Sequence, residues 1–368
     1  MSAGTRNYGN WRRPSTKGLL GLGWLSTALL FAALIATFLT VAIAGLLAGL
    51  AAMGVSAIAA GLVVTKNADH VSIIERVWER IMWAKTKATK RNVYRSGPLA
   101  ATGWGRTQAP GVAAPLRLSE HVDSLGRPFA LIYSPPGGLH TLVIETEPDG
   151  AALVDDEQID QWVGSWGWWL SHLAGEPGLV GASVTVETAP DTGGRLGREV
   201  AANISGDAPQ FARQVLADTV ENYPAGSSVV RAYLALTFVS STKKADRVGR
   251  ELASRLPELT GTLASTGAGV AAPLDAARLC EVIRTAYDPA VASLIDEARM
   301  AGDHVPLEFS DVGPTAAEAS WDSYRHDDAT SRTWVMTGAP HGLISARGLE
   351  KAPRPSARHR AQARHFDV

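Results

Sequence analysis

Charge is absent from one long stretch: between Gly18 and Thr65 the chain has no Asp, Glu, Lys, Arg or His. A buried helix of a soluble domain does not stay uncharged for that long, and the apolar region of a secretory signal peptide is much shorter. Cysteine is also scarce. Cys280 is the single one in 368 residues, which excludes an intrachain disulfide and a multi-cysteine zinc site. This fits a reducing, cytoplasmic setting for the soluble part. Several catalytic signatures are missing as well. There is no GxxxxGK[ST], since Gly261-Thr-Leu-Ala-Ser-Thr-Gly-Ala-Gly269 lacks the lysine that reaches phosphates, and neither HExxH nor GxSxG occurs. That glycine-rich run reads as a flexible connection. The formal net charge is −1, which gives no general case for nucleic-acid binding.

What the uncharged stretch does contain is apolar residues over more than twice the roughly 20 needed to cross a bilayer. The length predicts two transmembrane spans, Leu19–Val41 and Ile43–Val64, with a tight break near Ala42. Gly45-Leu-Leu-Ala-Gly49 has the GxxxG form that lets helices approach closely, so Gly45 and Gly49 are candidates for packing between the two spans. No charge lies inside the membrane stretch, and nothing there suggests an ion path or proton relay.

The flanks set the orientation. Arg6, Arg12, Arg13 and Lys17 precede the first span with no acidic residue among them. Lys66, Arg76, Arg80, Lys85, Lys87, Lys90, Arg91 and Arg95 follow the second, against Asp69, Glu75 and Glu79. Lys and Arg beside spans stay on the cytoplasmic side, so both termini are expected in the cytoplasm and the protein in the cell (inner) membrane as a multi-pass protein. The same basic residues suit anionic lipid. His70–Arg91 reads as a helix with Val71, Ile74, Val77, Trp78, Ile81 and Met82 on one face. Such a helix lies in the membrane interface or packs on the soluble domain, and the sequence leaves both open.

Residues 1–17 therefore read as a basic cytoplasmic lead-in, 18–65 as a membrane hairpin and 66–96 as a basic juxtamembrane helix. Residues 97–345 form the cytoplasmic domain, and 346–368 a disordered or out-of-frame tail. Within the domain, 96–128 reads as an irregular connection. Strands are predicted at Phe129–Ser134 and His140–Glu147, joined by Pro135-Pro-Gly-Gly138, and again at Leu179–Ala189, Ser228–Ser240 and Ser331–Thr337. Helices are predicted at Glu157–Ala174, Ala208–Tyr223, Asp246–Leu263 with Pro257 as a kink or end, Pro273–Tyr287 and Pro289–Ala301. The order suggests an α+β domain, a ferredoxin-like sheet with helices on one face.

Candidates for chemistry are few. Asp322, His326, Asp327 and Asp328 form the densest His/Asp cluster, and a metal site there needs convergent geometry and not just proximity. Tyr324–Asp328 otherwise reads as a solvated turn before the strand. Of Trp162, Trp166, Trp168 and Trp169, three share an apolar helix face and read as core, while Trp168 points elsewhere as a possible partner contact. Cys280, on an apolar helix face, reads as a buried, inert thiol. No cofactor is implied.

Several stretches resemble an actinobacterial family of integral membrane proteins encoded in integrative conjugative elements, within type IV secretion-like gene sets. They are Tyr8-Gly-Asn-Trp-Arg-Arg-Pro14, Tyr94-Arg-Ser-Gly-Pro98, Gly126-Arg-Pro-Phe-Ala-Leu131, Glu147-Pro-Asp-Gly-Ala-Ala-Leu-Val-Asp155, Glu176-Pro-Gly-Leu-Val180 and Ser183-Val-Thr-Val-Glu-Thr-Ala-Pro-Asp191. Further matches are Leu279-Cys-Glu-Val-Ile-Arg284, Ala286-Tyr-Asp-Pro289 and Trp321–Pro340. The family continues with an ordered segment where this chain runs into an Arg/His/Pro tail, so the resemblance implies a truncated or frameshifted copy. The layout is also similar to a two-span secretion protein joined to the N-terminal domain of a secretion ATPase, without the motor.

The resemblance implies a non-catalytic component of a conjugative DNA-transfer apparatus, anchoring or docking a motor ATPase at the inner membrane. Membrane lipid, that ATPase and other membrane components are the expected partners, with a homo-oligomer left open. Two readings compete with it: a membrane-tethered enzyme built on the Asp322/His326/Asp327/Asp328 cluster, and a membrane-adjacent nucleic-acid contact through Lys85–Arg95. Direct nucleic-acid contact is disfavoured, because such a charge run is usually solvated or lipid-facing.

Overall fold

In a computed structural model, the residues described are 7–8, 24–64, 73–97, 100, 106–148, 150, 154–190, 194–222, 228–240, 245–301, 306–335 and 344–345. Among them the chain forms an α+β structure of eight helices and three sheets. In order the elements are β1 (Asn7–Tyr8), α1 (Trp24–Val64), α2 (Ile73–Ala88), β2 (Val93–Arg95), β3 (Arg117–Val122), β4 (Pro128–Ser134) and β5 (Leu139–Thr146). There follow α3 (Asp156–Leu173), β6 (Leu179–Pro190), α4 (Gly194–Asn203), α5 (Gln210–Asn222), β7 (Ser228–Val239), α6 (Ala245–Gly261) and β8 (Ala271–Pro273). The last elements are α7 (Ala276–Tyr287), α8 (Val291–Met300), β9 (Ala316–Ala319), β10 (Tyr324–His326), β11 (Ala329–Ser331) and β12 (Ile344–Ser345). The chain divides into two compact units. One holds residues 1–92, 319–323 and 331–368, and the other holds 93–318 and 324–330.

The second unit is built on an antiparallel sheet ordered β3-β4-β5-β7-β6, with β8 paired to β5 beyond the end of β4. Alternation makes β5 a strand buried on one face: His140, Leu142, Ile144 and Thr146 are all buried. That face joins Phe129, Leu131, Leu234, Leu236 and Phe238 to Trp169 and Leu173 of α3 and to Val248, Leu252, Leu256 and Leu259 of α6. Fully burying each such side chain contributes about 1.5–3 kcal/mol. The opposite face carries Ala130, Ile132, Val143 and Tyr233, covered by Leu274 and by Leu279, Val282 and Ile283 of α7. The expectation of helices on one face is corrected: α7 covers the second face, because the middle of the sheet is apolar on both.

The connection expected over 96–128 contains β3, paired in register with β4 from Arg117↔Tyr133 to Val122↔Pro128. Its turn is held by Asp123, whose carboxylate accepts from the amides of Leu125 (2.9 Å) and Arg127 (2.8 Å) and from Arg127 Nε (2.8 Å). Pro257 neither ends nor splits α6. It removes the amide that would bond the Ala253 carbonyl, and the Ser124 amide of the β3–β4 turn takes that carbonyl instead, at 3.1 Å. The strand expected at Ser331–Thr337 is also corrected. Residues 332–335 are irregular, and the strands are β10 and β11, an inner and an edge strand of a second sheet ordered β11-β10-β9-β2. Residues 346–368 lie outside the described residues.

Candidate membrane-facing and docking surfaces

Within α1, Leu30–Ile58 is long and apolar enough to cross a membrane, and its large side chains, among them Phe31, Leu34, Phe38, Leu47 and Ile58, are exposed. The helix is interrupted at Gly45, with φ 82° and ψ 179°, a backbone region open essentially to glycine alone. On either side of it, Thr37 Oγ1 and Ser56 Oγ lie 3.1 Å apart. Thr37 also donates to the Ala33 carbonyl (2.8 Å), and Thr40 donates to that of Ala36 (2.7 Å). The break is thus at Gly45 and not near Ala42. Gly45 has nothing within 4 Å of where a Cβ would stand, so the close approach falls to Gly49 alone, where a Cβ would lie 3.2 Å from Val41 Cα. Leu19, Arg12, Arg13, Lys17 and Lys66 lie outside the described residues; Ile43 lies within α1, and Val64 ends it.

α2 has two distinct faces. Trp83 meets the Trp321 ring edge-on at 6.2 Å, and the Arg80 guanidinium stands 5.5 Å from the same ring. Val77, Trp78, Ile81 and Met82 point elsewhere and are exposed, Trp78 by 62%. Lys85 and Lys87 occupy the last turn and interact well with the negative end of the helix dipole. Lys90, with φ 54°, and Arg91 lie in the turn that follows.

Of the Asp/His cluster, Asp327 and His326 are committed to structure. Asp327 (φ 45°) sits in the turn between β10 and β11 and accepts from the amides of Thr315 (2.8 Å) and Ala316 (3.2 Å) and from Arg284 Nη1 (3.3 Å). His326 is buried, with Nδ1 against the Tyr287 carbonyl and its ring 5.4 Å from that of Tyr324. The expected solvated turn over Tyr324–Asp328 is corrected: Tyr324–His326 is strand β10, only Asp327 and Asp328 turn, and His326 is buried rather than solvated. Asp322 accepts from the Ser323 hydroxyl, and Asp328 is exposed. Among the described residues, no three His, Cys, Asp or Glu side chains are grouped to hold a metal ion.

Trp169 is buried, donates Nε1–H to the Leu259 carbonyl (3.2 Å) and stacks on Trp166. Trp162 lies against Gly267, whose left-handed backbone and missing Cβ let the indole close in. Trp168 is 53% exposed and stacks on His172, with ring centroids 4.9 Å apart. Cys280 is buried, and burial pushes its thiol up to about 11.

A polar network that the sequence reading missed crosses the α7 face of the sheet. Arg278 grips Glu145 through Nη2 (2.7 Å) and Nε (3.1 Å), and its Nη1 reaches Glu281 (3.4 Å), which also pairs with Arg299. Arg231 Nε stands 3.8 Å from Glu145, and the Tyr233 hydroxyl donates to Glu187 at 3.0 Å. Burial raises the Glu145 pKa, but the Arg278 hydrogen bonds and charge outweigh it and leave the carboxyl lowered. Burial, with Glu145 and Glu187 close by, raises that of Tyr233. The available signal was an acid inside an apolar alternating strand. On the opposite face His140 is fully buried, neither ring nitrogen has a hydrogen-bond partner among the described residues, and the ring stacks on Tyr133 at 4.9 Å.

Residues 15–75 match the model of a family described as a domain of unknown function (DUF8461). The match encloses the whole uncharged stretch and the start of α2. No curated protein and no solved structure matches the chain.

Proposed function

We propose that the chain is a non-catalytic integral membrane component of a conjugative, type IV secretion-like DNA-transfer apparatus. In this reading α1 is a transmembrane hairpin with both termini in the cytoplasm, and the α+β domain is a cytoplasmic docking body for a motor ATPase. The observation that carries the membrane part is the Thr37–Ser56 contact. Nineteen residues of unbroken helix rise about 28 Å, whereas these hydroxyls lie 3.1 Å apart. Two arms folded side by side at Gly45 account for it. Each arm has about 20 residues, enough for one crossing, and neither carries a charge. The basic residues on both flanks then belong to one cytoplasmic side.

The free face of α2 fits the same reading. Its outward Val77, Trp78, Ile81 and Met82 with nearby Lys85 and Lys87 suit the headgroup layer of an anionic leaflet. For the domain, the antiparallel order β8-β5-β7-β6, with α3 and α6 on one face, supports a ferredoxin-like core to which β3, β4 and α7 are added. The assignment to DNA transfer rests on the sequence resemblance. Against a catalytic alternative stand Asp327 and His326, whose polar atoms already bond backbone groups and Arg284.

Co-purification tests this reading. The N-terminally tagged protein, extracted in detergent from its native host, is expected to bring down a P-loop ATPase and other membrane proteins of a transfer apparatus. Recovery of the chain alone would overturn it.

A further inference from the structure

Among the described residues, β6 is the outermost strand of its sheet and pairs with β7 alone. It is 12 residues long, and Val180 through Val186 are all exposed, so neither face of this stretch is covered. Among the described residues, Gly181–Pro190 makes no backbone hydrogen bond outside its pairing with β7. Natural edge strands are normally guarded by lysines, a mid-strand proline or an outward bulge. β6 has no Lys or Arg, its proline is the terminal Pro190, and its one irregularity lies at its start, between Leu179 and Gly181.

We propose that β6 is a self-recognition edge, by which two copies of this chain pair antiparallel about a two-fold axis through Val184 or through Thr185 and join their sheets into one. The inference goes beyond the proposed function and does not depend on the membrane reading. Three observations favour a second copy as the occupant. The first is facial. Ala182, Val184 and Val186 stand opposite Leu236, Leu234 and Ala232, on the side of the sheet that carries α3 and α6 but beyond the cover of those helices; Ser183, Thr185 and Glu187 lie on the other face. A two-fold axis perpendicular to the sheet makes the pairing antiparallel and keeps each face on its own side, so apolar meets apolar and polar meets polar. The second is charge. The one charged residue of the strand, Glu187, falls opposite Gly181 or Ser183 about this axis and never opposite its own copy. The third is that Glu187 already accepts from the Tyr233 hydroxyl, so the edge offers a foreign partner no free charge to read. A foreign strand would have to bring a matching pattern, which a second β6 has by symmetry.

The test uses the full chain in detergent, with mass measured by light scattering over a range of concentrations. The wild type is expected to show a concentration-dependent dimer. Val184→Cys is expected to crosslink to its own copy with a short bis-maleimide, since the native thiol is buried. Val184→Lys combined with Val186→Lys is expected to weaken the dimer at least ~tenfold, with a thermal unfolding midpoint unchanged at concentrations where both proteins are monomeric, because both positions are exposed. Val112→Lys, on a separate exposed turn, is expected to leave the dimer intact. A monomer at every concentration would overturn the proposal. So would a dimer that the two lysines do not weaken, a dimer in which position 184 does not crosslink, or a different protein found on β6.

Discussion

The hydroxyls of Thr37 and Ser56 stand 3.1 Å apart on opposite sides of the break at Gly45. Their contact requires the chain to turn there, and the turn uses φ 82° with ψ 179°. A side chain in that region costs about 1–3 kcal/mol. Gly45→Ala is therefore expected to lower the thermal unfolding midpoint of the detergent-solubilised protein. Gly54→Ala, inside the same helix with nothing within 4 Å of its Cβ position, is expected to leave the midpoint unchanged or raise it. Equal midpoints for the two variants would remove the special role of Gly45.

Reporters on α2 are expected to separate its two faces. With an environment-sensitive dye at Trp78→Cys, the full chain in vesicles containing anionic lipid is expected to show a blue-shifted emission quenched by brominated lipid. The same dye at Glu79→Cys, also exposed, is expected to behave as in water. Matching spectra at the two positions would place α2 away from the membrane surface.

The Glu145–Arg278 pair predicts an asymmetric mutational response. Both side chains are largely buried, at 17% and 22% exposure, and Arg278 donates two hydrogen bonds to Glu145. Glu145→Ala leaves the guanidinium without its main acceptor and is expected to cost about 2–4 kcal/mol in denaturant unfolding. Replacing both residues with apolar ones, Glu145→Leu with Arg278→Met, is expected to recover much of the loss.

Mild acid is expected to destabilise the α+β unit. Burial holds His140 below its ordinary value of 6.5, with the charge of His121 adding to the effect. Burial likewise lowers His121, against Asp246 and Glu120, which raise it. The unfolded chain takes up these protons near pH 6.5 while the folded chain resists them, so stability falls as pH drops below about 6.5. Melting temperatures between pH 7.5 and 5.5 should show the slope, and His140→Phe should flatten it. A second loss is expected below about pH 4.5. There Glu145 and Asp123, both held low by arginine hydrogen bonds that outweigh their burial, become protonated.

What was legible in the sequence follows from which forces act locally. The apolar α1 segment could be read because missing charge over such a length has few explanations. Its breaking residue could not, because Ala42, Gly45 and Gly49 are all small, and only the folded chain distinguishes them, by the backbone turn at Gly45 and the packing of Val41 onto Gly49. β4, β5, β6 and β7 were legible from alternation. β3 was not, because Arg117, Ser119, Glu120 and His121 dilute its apolar face and its pairing with β4 defines it. α7 covering the second sheet face and the Glu145–Arg278–Arg231 network escaped for the same reason: their partners lie far apart along the chain.

Labelling from outside intact cells tests the hairpin most directly. Full-length proteins carrying single introduced cysteines at Ser2, Leu46 or Lys90 would be treated with a membrane-impermeant maleimide, the native Cys280 being buried. A hairpin predicts labelling of Leu46→Cys in intact cells, and of Ser2→Cys and Lys90→Cys only after lysis. Labelling of Lys90→Cys from outside while Ser2→Cys stays protected would mean a single crossing, and would contradict the anchor proposed for this protein.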